Sequence, residues 1–168
     1  MNAELDLRTA TPADRPALER LWLMFKHDMS EFVGGVPNPD GSFRRERLEA
    51  AFSGVGDWAP YVIGLGDRPV GFVFVRGLAG PTYVLNSFFV VRGMRRTGVG
   101  LWAVREVVAR HPGAWEVAFQ ETNVRAVRFW RRVAEEIAPG AWTEERRPVP
   151  ERPDLAPDCW ISFRCPGP

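Results

Sequence analysis

The sequence predicts an α/β domain with a mixed sheet, antiparallel in its early strands and holding one parallel crossover. Three observations carry this. Strand-length apolar runs and segments with apolar residues every 3–4 positions follow in the order β-α-α-β-β-β-α-β-α-β-β. Pro60–Leu65 and Val70–Gly77 are joined by Gly66-Asp67-Arg68-Pro69, a hairpin signal. Tyr83–Val91, the segment from Thr97 to Arg110, and Trp115–Glu121 read as strand, helix, strand, the connection that parallel neighbours need.

Each element has a local reason. Leu5–Thr9 is a short strand ended by Thr11-Pro12, and Thr11 or Asp14 can cap a helix over Pro12–Asp28 with Leu18, Leu21, Trp22 and Phe25 on one face. Gly34 to Gly41 carries turn residues almost throughout, so it is a loop, and a shorter helix over Phe43–Phe52 stops at Gly54. Tyr83–Val91 is apolar except for Asn86 and Ser87, which predicts a strand buried on both faces. Leu101, Val104, Val107 and Val108 line one side of the next helix, and His111-Pro112-Gly113 stops it. A last helix over Asn123–Ile137 and closing strands at Trp142–Arg147 and Cys159–Arg164 complete the chain.

At 168 residues and 19.0 kDa the chain is one domain's worth, and residues 1–168 are read as a single domain. Hydrophobic residues at 45% and charged residues at 26% exclude disorder. Met1–Ala10 lacks the apolar stretch of about 7–15 residues of a signal peptide, and no run approaches the ~20 apolar residues of a membrane span. Two cysteines, Cys159 and Cys165, are too few for a disulfide scaffold or a four-cysteine zinc site, so they read as reduced thiols in a cytoplasmic protein. No metal site is expected.

Net charge is +1, but it is unevenly spread. Residues 1–60 carry 7 basic and 10 acidic side chains, net −3, whereas residues 92–132 carry 9 and 3, net +6. One cationic segment inside a mildly acidic chain points to a local anionic ligand rather than to nucleic acid.

That segment begins Arg92-Gly93-Met94-Arg95-Arg96-Thr97-Gly98-Val99-Gly100, between a strand and a helix. Helix N-termini expose unpaired N–H groups and a partial positive charge, and glycines let a phosphate reach the backbone. A Walker A loop needs a lysine, and none stands here. Gly98-Val99-Gly100-Leu101-Trp102-Ala103 fits the dinucleotide fingerprint literally, with Glu121 at about the distance of a ribose-binding acid. In that fold, however, the first glycine follows the strand at once; here six residues separate Val91 from Gly98.

With Arg95-Arg96-Thr97-Gly98-Val99-Gly100 read as Arg/Gln-x-x-Gly-x-Gly/Ala, and Asn123-Val124-Arg125-Ala126-Val127-Arg128-Phe129-Trp130 as Asn-x-x-Ala-x-x-Phe-Tyr, the chain resembles the GCN5-related N-acetyltransferases (GNAT). The motifs cover Tyr83 to about Val133, and the order of elements fits over nearly the whole chain. The resemblance implies a mixed central sheet with a splayed parallel strand pair, about four flanking helices, and acetyl-CoA as cosubstrate. It implies that Gly98–Leu101 amides hold the pyrophosphate and that Arg95, Arg96, Thr97, Val99 and Gly100 complete that cradle. Phe89, Val90 and Val91 would line the pantetheine on one side, with Asn123, Ala126, Phe129 and Trp130 on the other. Asn123 also reads as a helix N-cap, which is compatible.

Two departures bear on chemistry. Many relatives carry a tyrosine where Trp130 stands, and an indole N–H has no useful acidity. Val133-Ala134-Glu135 replaces the family's usual Gly-Phe. Many relatives carry a carboxylate base on the strand that Tyr83–Val91 would form, and none stands here, so the resemblance leaves Glu121, Asp28 or Glu31 as the base, with Asn86, Ser87 and Trp130 as the other catalytic candidates. His27, Asp28 and Glu31 near the end of the first helix are the candidates for an amine acceptor. His111 reads as a helix-end residue and the cysteines as core.

The expected activity is transfer of an acetyl group from acetyl-CoA to a small-molecule or peptide amine by direct attack in a ternary complex. A non-catalytic acyl-CoA-binding module is the alternative, and a nicotinamide-dependent reductase a weaker third. Neither a nucleic-acid nor a membrane partner is expected, and a homodimer is compatible with the sequence.

Overall fold

A computed structural model describes residues 4–167; of the N-terminal stretch read above for a leader, residues 1–3 lie outside the described residues. The elements follow the expected order: β1 (Leu5–Thr9), α1 (Arg15–Val33), α2 (Glu46–Phe52), β2 (Trp58–Leu65), β3 (Arg68–Arg76), β4 (Thr82–Val90), α3 (Val99–Arg110), β5 (Gly113–Phe119), α4 (Val124–Ile137), β6 (Thr143–Arg147) and β7 (Asp158–Cys165). The seven strands form one sheet in the order β1-β2-β3-β4-β5-β7-β6. Among the described residues only β4 and β5 pair in parallel, with α3 as the crossover. Among the described residues no helix is long and apolar enough to cross a membrane.

Each face of the sheet has its own core. Leu18, Leu21 and Trp22 of α1 and Leu48 and Ala51 of α2 bury against Val62, Phe72, Phe74 and Phe89. On the opposite face, Val104, Val107 and Val108 of α3 and Val133 and Ala134 of α4 pack on Ile63, Val73, Leu85, Trp115 and Ile161. Cys159 and Cys165 lie on that side, so the two thiols share a face as their spacing predicts.

One expectation needs correction. α1 runs five residues past Asp28, to Val33, because nothing in Met29–Val33 breaks a helix. It ends where Gly34, at φ 67°, supplies the left-handed C-cap and donates its N–H to Ser30 O at 3.0 Å. As expected, β4 is buried on both faces: Leu85 and Val90 lie in the α3–α4 core and Phe89 in the α1–α2 core, while Val84, Asn86 and Phe88 are half-buried.

Candidate functional site

The site starts from a break in the sheet. β4 pairs with β5 only over Thr82–Leu85 and Ala114–Val117. At that point β4 carries a bulge: Phe74 faces Ser87 and Val75 faces Leu85, which leaves Asn86 without a partner on β3. A bulge bends its strand and increases local twist. Beyond it, Ser87–Val90 stays on β3 while β5 follows β7 through Phe119. The edge of β4 facing β5 is thus unpaired, and a slot opens between the two strands, with main-chain donors and acceptors along one wall.

Directly above the slot lies the glycine turn. Val91 N–H donates to Val70 O at 2.9 Å, a short 3₁₀ turn spans Arg92–Met94, and Thr97 Oγ1 donates to Met94 O at 2.7 Å. The chain then enters α3 through two left-handed residues, Arg96 (φ 64°) and Gly98 (φ 91°). Left-handed backbone is unusual for arginine and marks a turn held by its surroundings. The first helical bond runs from Trp102 N–H to Gly98 O at 3.0 Å, so the amides of Val99, Gly100 and Leu101 have no carbonyl one turn earlier. A Cβ at Gly98 would meet nothing within 4 Å, which leaves these amides open to an anion. At Gly100 a Cβ would lie 3.3 Å from Phe88 Cζ and 3.4 Å from Phe129 Cε2, so this glycine lets α3 sit against two rings.

Arg95, the first residue of the motif, turns inward. Its Nε donates to Val90 O at 2.7 Å, its guanidinium lies 5.5 Å from the Phe89 ring centroid, and Nη2 donates to Asp28 Oδ2. Arg92 Nη2 donates to the other oxygen of Asp28 at 2.7 Å. The side chain of Arg95 therefore fixes the turn, and the exposed Arg96 supplies outward charge. Asp28, read from the sequence as an acceptor ligand, is an anchor between α1 and this turn. Burial opposes its ionisation, but Arg95 and Arg92 outweigh that and hold its carboxyl below the usual range. His27 and Glu31 are exposed, about opposite Leu18 around the helix, because α1 continues through them. They do not join Asp28.

Aromatic side chains close the α4 side of the slot. Phe88 stacks on Phe129 at 5.4 Å and 5°, and Trp130 meets both edge-on at 5.5 and 4.8 Å. Trp130 is 6% exposed, yet its indole N–H has no hydrogen-bond partner among the described residues and is not sealed from solvent. Asn123 caps α4, its Oδ1 accepting the Ala126 N–H at 3.1 Å, and so it stands at the mouth with Ala126 behind it. Both expectations for Asn123 are compatible with this position.

The acid–base candidates are placed unevenly. Ser87 is buried, and its hydroxyl donates to Asn86 Oδ1 at 3.1 Å. β5 ends at Phe119, so Glu121 lies in the exposed turn after it, ion-paired with Arg146 of β6. That pairing occupies the carboxylate expected as a base. His111 ends α3 at the opposite end of β5 and bonds the Tyr61 hydroxyl at 2.6 Å. Burial, followed by Glu121 and Glu144, pushes the Cys159 thiol up, which leaves it protonated near neutrality.

Sequence reading missed one acid. Glu116, in the middle of β5, accepts from Arg147 Nη1 and Nη2 at 3.1 and 2.8 Å and from Ser162 Oγ at 3.3 Å. The Arg147 bonds, working against burial, hold its carboxyl below the usual range. The signal was the single charge in Trp115-Glu116-Val117-Ala118-Phe119, but its partners lie 31 and 46 residues further on.

The pieces form a slot between diverging strands, an anion cradle at one end and a polar sheet face beneath. The same architecture recurs in solved structures. An acetyltransferase from Thermus thermophilus superposes with a TM-score of 0.69 at 17% identity, over 98% of this chain and 99% of that one. A histone acetyltransferase HPA2 and related acetyltransferase from Corynebacterium glutamicum ATCC 13032 gives 0.67 at 18% identity, over 100% and 99%. AAC(6')-Ib, solved in complex with paromomycin and acetyl-CoA, gives 0.64 at 15% identity, over 96% and 93%. A search of the curated proteins returned no match. The model of the acetyltransferase (GNAT) family matches residues 19–134, more than half of the sequence, and the chain belongs to that family.

Proposed function

We propose that the protein transfers the acetyl group of acetyl-CoA to a primary amine of a small molecule or peptide, within a single domain spanning residues 1–168. The observation that carries this reading is the continuity between the open amides of Val99–Leu101 and the unpaired edge of β4. A diphosphate suits the helix N-terminus, and an amide-rich pantetheine arm suits a free strand edge. The indole of Trp130 and the Phe88–Phe129 stack would wall the thioester, with Phe89, Val90 and Val91 opposite.

The acceptor nitrogen attacks the thioester carbonyl carbon, the C–S bond breaks, and the coenzyme thiolate leaves to be protonated. Free amides near Val90 are suited to polarise the carbonyl as negative charge develops. Alignment of the two reactants can lower the barrier by about 7–11 kcal/mol, so the reaction does not depend on a strong acid or base. Asn86 and Ser87, beside the bulge, are polar enough to hold a water that takes the amine proton. Trp130 would donate a hydrogen bond rather than a proton.

Incubation with acetyl-CoA and a mixed amine library tests this. Release of free thiol together with an N-acetylated amine is the expected result. Acetyl-CoA binding without turnover on any amine would favour the acyl-CoA-binding module instead.

A further inference from the structure

The helices α1 and α2 bury residues of β2, β3 and β4 and go no further across the sheet. Along β5 and β7 the residues turned toward α3 and α4 are buried, whereas the alternate ones, Glu116, Ala118, Trp160 and Ser162, are half-buried. Among the described residues Ala118 and Trp160 join neither core. This open half of the sheet face borders the slot.

Pairing fixes what lies side by side there. Ala118 is opposite Trp160, and Trp160 is opposite Glu145 of β6; Glu116 has Val84 of β4 on one side and Ser162 on the other. Ala118 is the first residue of β5 past Val117, the last one paired with β4, so it stands on the rim of the slot. Its methyl leaves a shelf about 4.8 Å across, one strand spacing, between the slot and Trp160.

One wall of the shelf is held by hydrogen bonds. Arg147 reaches from β6 over the Trp160 ring, its guanidinium 4.7 Å from the centroid, to Glu116 on β5. Nη1 and Nη2 donate to Glu116 at 3.1 and 2.8 Å, Nε donates to Glu145 Oε1 at 2.5 Å, and Ser162 Oγ donates to Glu116 at 3.3 Å. Each nitrogen of the guanidinium is thus engaged in its own plane, and one flat face rests on Trp160. The side chain is still 35% exposed, so what it offers an incoming group is the opposite face. A guanidinium with its donors taken is a weak anchor for an anion, whereas its flat, weakly hydrated face stacks well on an aromatic ring. Glu116, neutralised by Arg147, has little pull on a cation.

We infer that this shelf holds an aromatic ring of the acceptor, which is therefore an aromatic amine: its ring lies on Ala118 against the free face of Arg147, and its amine reaches over the rim into the slot. The inference rests on the acetyltransferase reading above and narrows its acceptor.

The test compares phenethylamine with cyclohexylethylamine, which has a saturated ring of the same size, and with putrescine, all at saturating acetyl-CoA. The wild type should show a KM about fivefold or more lower for phenethylamine than for cyclohexylethylamine, the size of a cation–π contact. Arg147→Lys keeps the charge beside Glu116 but lacks the plane, and Trp160→Leu removes the backing of that plane; each should bring the two KM values together. The melting shift with acetyl-CoA, read on each variant, reports intact folding and cofactor binding. Calorimetry of the same amines on the coenzyme-A-loaded protein should give the same order without turnover. Equal values for the two rings in the wild type, or a preference that survives Arg147→Lys, overturns the inference, while an acetyl-CoA shift with turnover leaves the enzymatic reading standing. Putrescine favoured over phenethylamine would give the face to a second ammonium beside Glu145 or Asp158 and overturn the ring. Absence of an acetyl-CoA shift in the wild type overturns both readings.

Discussion

Asp28 on α1 is bonded to Arg95 in the glycine turn, 67 residues away, and Arg95 in turn holds the carbonyl of Val90 at 2.7 Å. One carboxylate therefore ties the first helix to the turn and to the free end of β4. Asp28→Asn should lower stability by about 1–3 kcal/mol, the usual cost of removing one side of a charged, half-buried hydrogen bond. It should also weaken acetyl-CoA binding, since the turn loses its anchor. Because the folded pKa of Asp28 is depressed, its contribution is present above about pH 4 and is lost as the pH falls through the lower folded value. Denaturant melts of wild type and variant should therefore converge below pH 4. A gap that persists in acid would assign the loss to packing.

The two glycines of the turn should fail differently. Gly98→Ala meets no neighbour but must hold φ near 91°, a strain of about 1–3 kcal/mol, and it puts a methyl where an anion approaches. Gly100→Ala must move the Phe88 or Phe129 ring, at about 1–3 kcal/mol, with less effect on the anion site. Calorimetric Kd values for acetyl-CoA at matched folded fraction should rise more for Gly98→Ala. The reverse order would move the phosphate toward the aromatic wall.

Neither thiol should take part in transfer. Cys159 is 3% exposed in the core under α4, and burial raises the pKa of both cysteines. Cys159→Ala/Cys165→Ser should keep its turnover number within about twofold, at some cost in stability from the small cavity. Intact-protein mass spectrometry after acetyl-CoA exposure should show no acetylated enzyme; an acylated cysteine would require a two-step scheme.

Trp130→Phe removes the indole N–H and part of the packing on Phe88 and Phe129. Turnover should fall less than about tenfold, since an N–H that is not an acid contributes at most one hydrogen bond of about 0.5–1.5 kcal/mol. A loss of several orders of magnitude with acetyl-CoA binding unchanged would make Trp130 central to the chemistry.

Much of the fold was legible because many elements announce themselves locally: a hairpin at Gly66-Asp67, apolar residues every 3–4 positions along α3, and a stop at His111-Pro112-Gly113. The end of α1 was less so, since nothing before Gly34 marks it, and the helix carries on past His27 with Glu31 turned to solvent. The glycine turn was legible for a similar reason, since its six motif residues are contiguous. The pairing of the charges was not. Segment charge made residues 1–60 look acidic, but Asp14 is paired with Arg8, Glu49 with Arg15 and Arg45, and Asp28 with arginines of the turn. Those pairings exist only in three dimensions.

The most direct measurement is the thermal melt of the wild-type protein with and without acetyl-CoA at a hundredfold excess over Kd. Binding to the folded state alone adds roughly 2.7 kcal/mol there, which raises the midpoint by roughly 5–10 °C for a chain of this length. Coenzyme A should give a similar shift and NADH none. A midpoint that does not move with acetyl-CoA at any concentration up to millimolar would contradict the assignment of the Gly98–Leu101 turn and of the slot below it.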